Sequence, residues 1–129
     1  LVLGWEDDKK DSLSNILLKP EEIIQFNLNA DLTILNACNS GLPNAKKAPG
    51  LTGIAQSFLA AGSEAIMVSN WSIASKTTVE LMSRMFGHLK DNSKASFNSA
   101  LIYAQRSLKS DTKTSHPFFW APYLIYGNF

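Results

Sequence analysis

One residue in this chain has the chemistry of a strong nucleophile. Cys38 is the single cysteine. It directly follows Leu32-Thr33-Ile34-Leu35-Asn36-Ala37, a near-continuous apolar and β-branched run that reads as a strand buried on both faces. The stretch after it, Gly41 to Gly50, holds two glycines and two prolines and reads as a loop. In open parallel sheets, reacting groups collect at the carboxyl ends of strands. A thiol there is held by a rigid strand and exposed at the sheet's edge. The position suits a buried structural thiol as well, because free cysteine is among the most buried residue types.

Two histidines are available as proton acceptors. His88 falls among Met85, Phe86 and Leu89, near the C-terminal end of a helical stretch, where the helix dipole favours a cation. His116 precedes Pro117 at a loop-to-strand junction. Both read as structural. The glycines between Gly41 and Gly53 lack the G-x-x-x-x-G-K-[ST] order that cradles phosphate. No pair of His or Cys has zinc spacing, so neither a metal nor a cofactor is expected. Glu6, Asp7 and Asp8 read as a solvated loop.

The elements that position Cys38 alternate along the chain. Leu1 to Trp5 reads as a short strand, and Pro20 with Glu21 and Glu22 as the first turn of a helix. Leu51, Ile54, Ala55, Phe58 and Leu59 share one helical stripe, which Gly62 stops. Ala65-Ile66-Met67-Val68 reads as a second buried strand. The length between it and the first is that of a βαβ unit, so the two should be parallel with a right-handed crossover. Thr78, Leu81, Met82, Met85, Phe86 and Leu89 mark a longer helix, and Phe97, Ala100, Leu101, Ala104 and Leu108 another. Asp111 to Ser115 reads as a polar loop. Phe118 to Tyr126 reads as a last strand, with Pro122 inside it at an edge or a bulge. The expected fold class is α/β, a mostly parallel sheet flanked by helices.

Composition narrows the function classes. The chain has 129 residues with 45% hydrophobic and 18% charged, values that fit a folded domain and not a disordered tail. Twelve basic residues against eleven acidic ones leave a net charge of +1, which directs the chain toward neither nucleic acid nor an anionic membrane. No apolar run is long enough to span a bilayer. With the charged run Glu6-Asp7-Asp8-Lys9-Lys10 so close to Leu1, no signal peptide is expected in this stretch. A lone cysteine makes no internal disulfide, which fits a reducing compartment, and the expected location is cytoplasmic. The chain opens at Leu1 in a strand-like stretch, so it reads as a fragment.

Four blocks carry a resemblance. Asn36-Ala37-Cys38-Asn39-Ser40-Gly41 resembles the S-A-C-[EN]-[TS]-G motif of the CHAT family. Pro49-Gly50-Leu51-Thr52-Gly53-Ile54-Ala55 with Phe58-Leu59-Ala60-Ala61-Gly62 resembles that family's G-L-x-G-L-A-x-A-F-x-x-A-G segment. Val68-Ser69-Asn70-Trp71-Ser72-Ile73 is similar to its V-x-S-x-W-x-V segment, and His116-Pro117-Phe118-Phe119-Trp120-Ala121-Pro122-Tyr123 to its closing H-P-x-x-W-A-x-F signature. The blocks keep the family's order and spread over the whole chain.

The resemblance implies a caspase-like three-layer fold, of which residues 1–129 would be the C-terminal portion. It implies a cysteine endopeptidase in which a Cys-His dyad cleaves a protein or peptide substrate and Cys38 is the nucleophile. Only the thiolate attacks, and free cysteine has a pKa of about 8.5, so a neighbouring His must activate it. The family carries that His before the cysteine, in an upstream His-Gly motif, whereas His88 and His116 both follow Cys38. The base is therefore expected upstream of Leu1, and the chain alone is expected to be inactive. Ser69, Asn70 and Trp71 are implied to line the pocket for the substrate residue before the cut. Many relatives carry Asp just after this Trp. Here Ser72 follows, and no acid occurs from Ser69 to Val79, so the pocket is not expected to demand a basic residue. The alternative is a domain that keeps the fold for protein interaction or regulation without activity. Family members commonly follow helical repeats, which makes an N-terminal repeat region an implied partner.

Overall fold

The computed structural model describes residues 18–36 and 53–127. The expected strand from Leu1 to Trp5, Cys38 and the loop from Gly41 to Gly50 lie outside the described residues. The elements run α1 (Pro20–Ile23), β1 (Ala30–Leu35), α2 (Gly53–Ala60), β2 (Ser63–Ser69), α3 (Ser75–Asp91), α4 (Phe97–Lys109), α5 (Pro117–Trp120) and β3 (Tyr123–Gly127). The α/β class stands.

Among the described residues the sheet has three strands in the order β1-β2-β3. β1 and β2 are parallel, with Leu35 beside Val68. β2 and β3 are antiparallel, with Ser69 beside Tyr123. The sheet described is thus mixed, where a mostly parallel one was expected. The reason is the number of helices between β2 and β3. A single crossover helix returns the chain to the start of the sheet, but α3 and α4 come in succession with only residues 92–96 between them. Such a short link makes the two helices antiparallel neighbours. The chain therefore arrives back at the C-terminal end of β2, and β3 has to run the other way.

Side chains alternate across β2 and feed two core layers. Ile66 and Val68 are buried with Leu35 and Ala55, against Ile54, Phe58 and Leu59 of α2. Met67 faces the opposite side and is buried with Leu81 and Met85 of α3 and Ala100, Leu101, Ala104 and Leu108 of α4. β2 is the strand buried on both faces, with α2 packed on one and α3 and α4 on the other. β1, expected to be so, is half-buried over most of its length.

Gly62 ends α2 in the left-handed region, at φ +108°. A Cβ there would lie 2.3 Å from the carbonyl oxygen of Leu28. That close approach lets the Leu28 N–H donate to Ala61 O at 2.8 Å and ties the entry to β1 against the exit of α2. α3 and α4 are joined by Arg84, which donates to Ser107 on α4 and to Glu80 on its own helix.

The stretch from Phe118 to Tyr126 is not one strand. Its first part is the helical turn α5, with Pro117 at the first position and His116 as the cap, its Nδ1 accepting the Phe118 N–H at 3.2 Å. Proline at a first helical position removes only an N–H that had no intrahelical partner, and this outweighs the strand preference of the aromatic run. Pro122 precedes β3, and its carbonyl accepts the Asn70 N–H at 2.9 Å.

Candidate functional site

The C-terminal ends of β1 and β2, the parallel pair, open into a cavity of about 270 Å³. Its walls come from five segments. Asn36 stands immediately after β1 and Ser69 is the last residue of β2. Trp71, Ser72 and Ile73 form the loop that follows. Ser75, Thr78 and Val79 come from the first turns of α3, and Tyr123 opens β3.

Tyr123 is the post around which these segments meet. It is 1% exposed, and Gln105 of α4 donates to its carbonyl at 3.1 Å. Its hydroxyl donates to Asn36 Oδ1 at 2.5 Å and lies 3.4 Å from the Thr78 hydroxyl. One phenol thus spans the top of β2, joining the end of β1 to α3. Asn36 Oδ1 is occupied by that bond, so the amide Nδ2 is the group Asn36 retains for donation.

The opposite wall is aromatic. Trp71 Nε1 donates to the Phe118 carbonyl at 2.9 Å, and its ring stacks on Phe118 with centroids 6.4 Å apart. The loop after β2 is therefore fixed to α5 through Phe118, which is itself 46% exposed. Among the described residues, the lining carries hydroxyls, one amide and apolar surface, with no ionisable carboxylate, amine or guanidinium. Glu80 on α3 is held by Arg84 instead.

Of the residues expected to line a substrate pocket, Ser69 and Trp71 do line this cavity. Asn70 stands beside it, engaged through its backbone with Pro122. Cys38, two residues along the chain from Asn36, lies outside the described residues. His88 stacks on Tyr103 at 4.2 Å between centroids, in the last turn of α3. His116 caps α5. Neither lines the cavity. Sequence reasoning did not find Asn36, Thr78 or Tyr123 as lining residues. Both Asn36 and Tyr123 lie inside the quoted motif blocks, which was the available signal.

A family model for the CHAT domain matches residues 1–128, nearly the whole chain. The chain belongs to the CHAT family. It is also similar to tetratricopeptide repeat protein 28 of Homo sapiens, with 27% identity over 117 residues that cover 90% of this chain and 5% of that protein. The Mus musculus protein of the same name is 25% identical over 116 residues, again covering 90% of this chain. The chain thus spans about 5% of the length of the curated relatives it matches. No solved structure matches it. Among the described residues, no helix is long and apolar enough to cross a membrane.

Proposed function

We propose that the domain is a caspase-like cysteine endopeptidase with Cys38 as its nucleophile. The observation that supports this best is the cavity at the C-terminal ends of the parallel strands, walled on one side by Asn36, two residues before the only cysteine of the chain. In the reaction, a histidine base takes the thiol proton and the Cys38 thiolate attacks the scissile carbonyl carbon. The C–N bond breaks as the imidazolium returns the proton to the leaving amine, leaving a thioester. Water, deprotonated by the same base, hydrolyses the thioester and regenerates the thiol. The family resemblance implies a base in an upstream His-Gly motif, and the stacking of His88 on Tyr103 and the capping of α5 by His116 fit structural roles for both. Ser69 and Trp71, with Asn70 beside them, hold the substrate side chain before the cut. The names of the curated relatives support a tetratricopeptide repeat region preceding the domain in the full-length protein.

The test is cleavage of a proteome-derived peptide library by the full-length protein, read by mass spectrometry. Defined cuts that vanish in Cys38→Ala are the expected result. A folded full-length protein that makes no cuts at all would leave the reading of a non-catalytic interaction domain in its place.

A further inference from the structure

The chemistry of the cavity wall narrows the substrate class, an inference that rests on the peptidase reading above. A volume of about 270 Å³ falls just below the ~300–1,000 Å³ of pockets that hold whole small molecules, which suits a single side chain. Volume alone does not choose among side chains, so the choice falls to charge and hydrogen bonding.

Among the described residues, a basic side chain lacks a carboxylate partner in this wall. From Asn36 to Val79 the sequence holds one carboxylate, Glu64, against Lys46, Lys47 and Lys76. Glu64 lies near the start of β2, five residues from Ser69, so it is about 16 Å away along the strand. Glu80, the next acid, is held by Arg84. An acidic side chain fares no better, because among the described residues no Arg or Lys lines the cavity and Arg84 is engaged with Glu80 and Ser107. Against the described lining a charged side chain finds no counter-ion, whereas a neutral polar group finds hydrogen bonds.

The wall is well furnished for a neutral amide. Tyr123 occupies Asn36 Oδ1 and leaves its Nδ2 as a donor, while Ser72 and Ser75 are exposed hydroxyls that both donate and accept. Trp71 supplies a flat apolar surface for a methylene stem. We propose that this cavity takes the carboxamide side chain of Gln or Asn in a peptide and discriminates against Arg, Lys, Asp and Glu.

The test uses the full-length protein and a panel of peptidyl acyloxymethyl ketones that differ only in the residue before the ketone: Gln, Asn, Leu, Arg, Lys, Asp or Glu. The readout is the rate at which Cys38 is alkylated, measured by intact mass and peptide mapping. The expected result is fastest labelling by the Gln or Asn reagent, at least about tenfold above Arg and Lys. Fastest labelling by a charged or an aliphatic reagent overturns the carboxamide assignment while leaving the peptidase reading intact. Labelling of Cys38 by none of them, with the thiol still reactive to iodoacetamide, overturns both. Ser75→Asp makes the cavity itself the variable. Ser75 is exposed at the first position of α3, where an acid favours the helix, so the fold should tolerate the change. The variant should raise the Arg-to-Gln rate ratio about tenfold or more. An unchanged ratio shows that the side chain binds elsewhere and overturns the proposal.

Discussion

The bond between Tyr123 and Asn36 makes a prediction about asymmetry. Its two ends differ in burial: Tyr123 is 1% exposed, whereas Asn36 is exposed. Tyr123→Phe removes the hydroxyl and leaves the Asn36 oxygen facing water, which replaces the lost donor. The cost is then the net value of one hydrogen bond, about 0.5–1.5 kcal/mol. Asn36→Ala removes the short acceptor of a buried hydroxyl, whose approach to Thr78 is longer, at 3.4 Å. Taking the short partner from a buried donor costs about 1–3 kcal/mol, the larger part being desolvation that water no longer offsets. Asn36→Ala should therefore be the more damaging single change. The double variant should be about 1 kcal/mol less unstable than the sum of the singles, because both changes break the same bond. Urea unfolding of the four proteins measures this through the midpoint at constant slope. Additive costs within about 0.3 kcal/mol, or Tyr123→Phe costing more than Asn36→Ala, would refute the claim that this bond closes the cavity.

Two further outcomes follow from the geometry. Gly62→Ala sets a Cβ 2.3 Å from Leu28 O at φ +108°, so it should cost at least about 2 kcal/mol; a change in urea midpoint worth under about 0.5 kcal/mol would count against the close approach. His116→Ala should lose about 1 kcal/mol of stability with the cap of α5, and both it and His88→Ala should leave peptide cleavage by the full-length protein within about threefold of the parent, since neither imidazole reaches the cavity. A loss comparable with that of Cys38→Ala in either variant would assign the base to it.

How much of this was legible in the sequence depended on the range of the forces involved. α3 and α4 were readable because Leu81 and Met85, then Ala100, Leu101, Ala104 and Leu108, repeat at helical spacing and all point into one core. β2 was readable because both of its faces are buried, which writes a continuous apolar run. Ser69 was readable as the end of that run, whereas Trp71 stood out only through the motif resemblance. The segment from Pro117 to Trp120 misled because three aromatics in four residues favour a strand, while the signals for a turn, a capping His116 and a first-position proline, are local and few. The antiparallel return of β3 was implicit in two successive helices, but only when topology was followed beyond each element. The union of Asn36, Thr78 and Tyr123 was not legible at all, since these side chains meet only after every intervening element has packed.

That union also has a consequence for synthesis. Asn36 and Tyr123 are 87 residues apart, and a ribosome adds about 5–20 residues per second. Tyr123 is therefore made roughly 4–17 s after Asn36, and emerges from the exit tunnel with the same delay. Between the emergence of Asn36 and that of Tyr123 the segment leading to Cys38 is outside the ribosome, while the phenol that completes the cavity is not yet free to pack. A thiol with no finished side-chain pocket has no means of selecting a substrate. The order of the chain thus keeps the proposed activity silent on the nascent polypeptide, and delays it until the last strand has been laid beside β2.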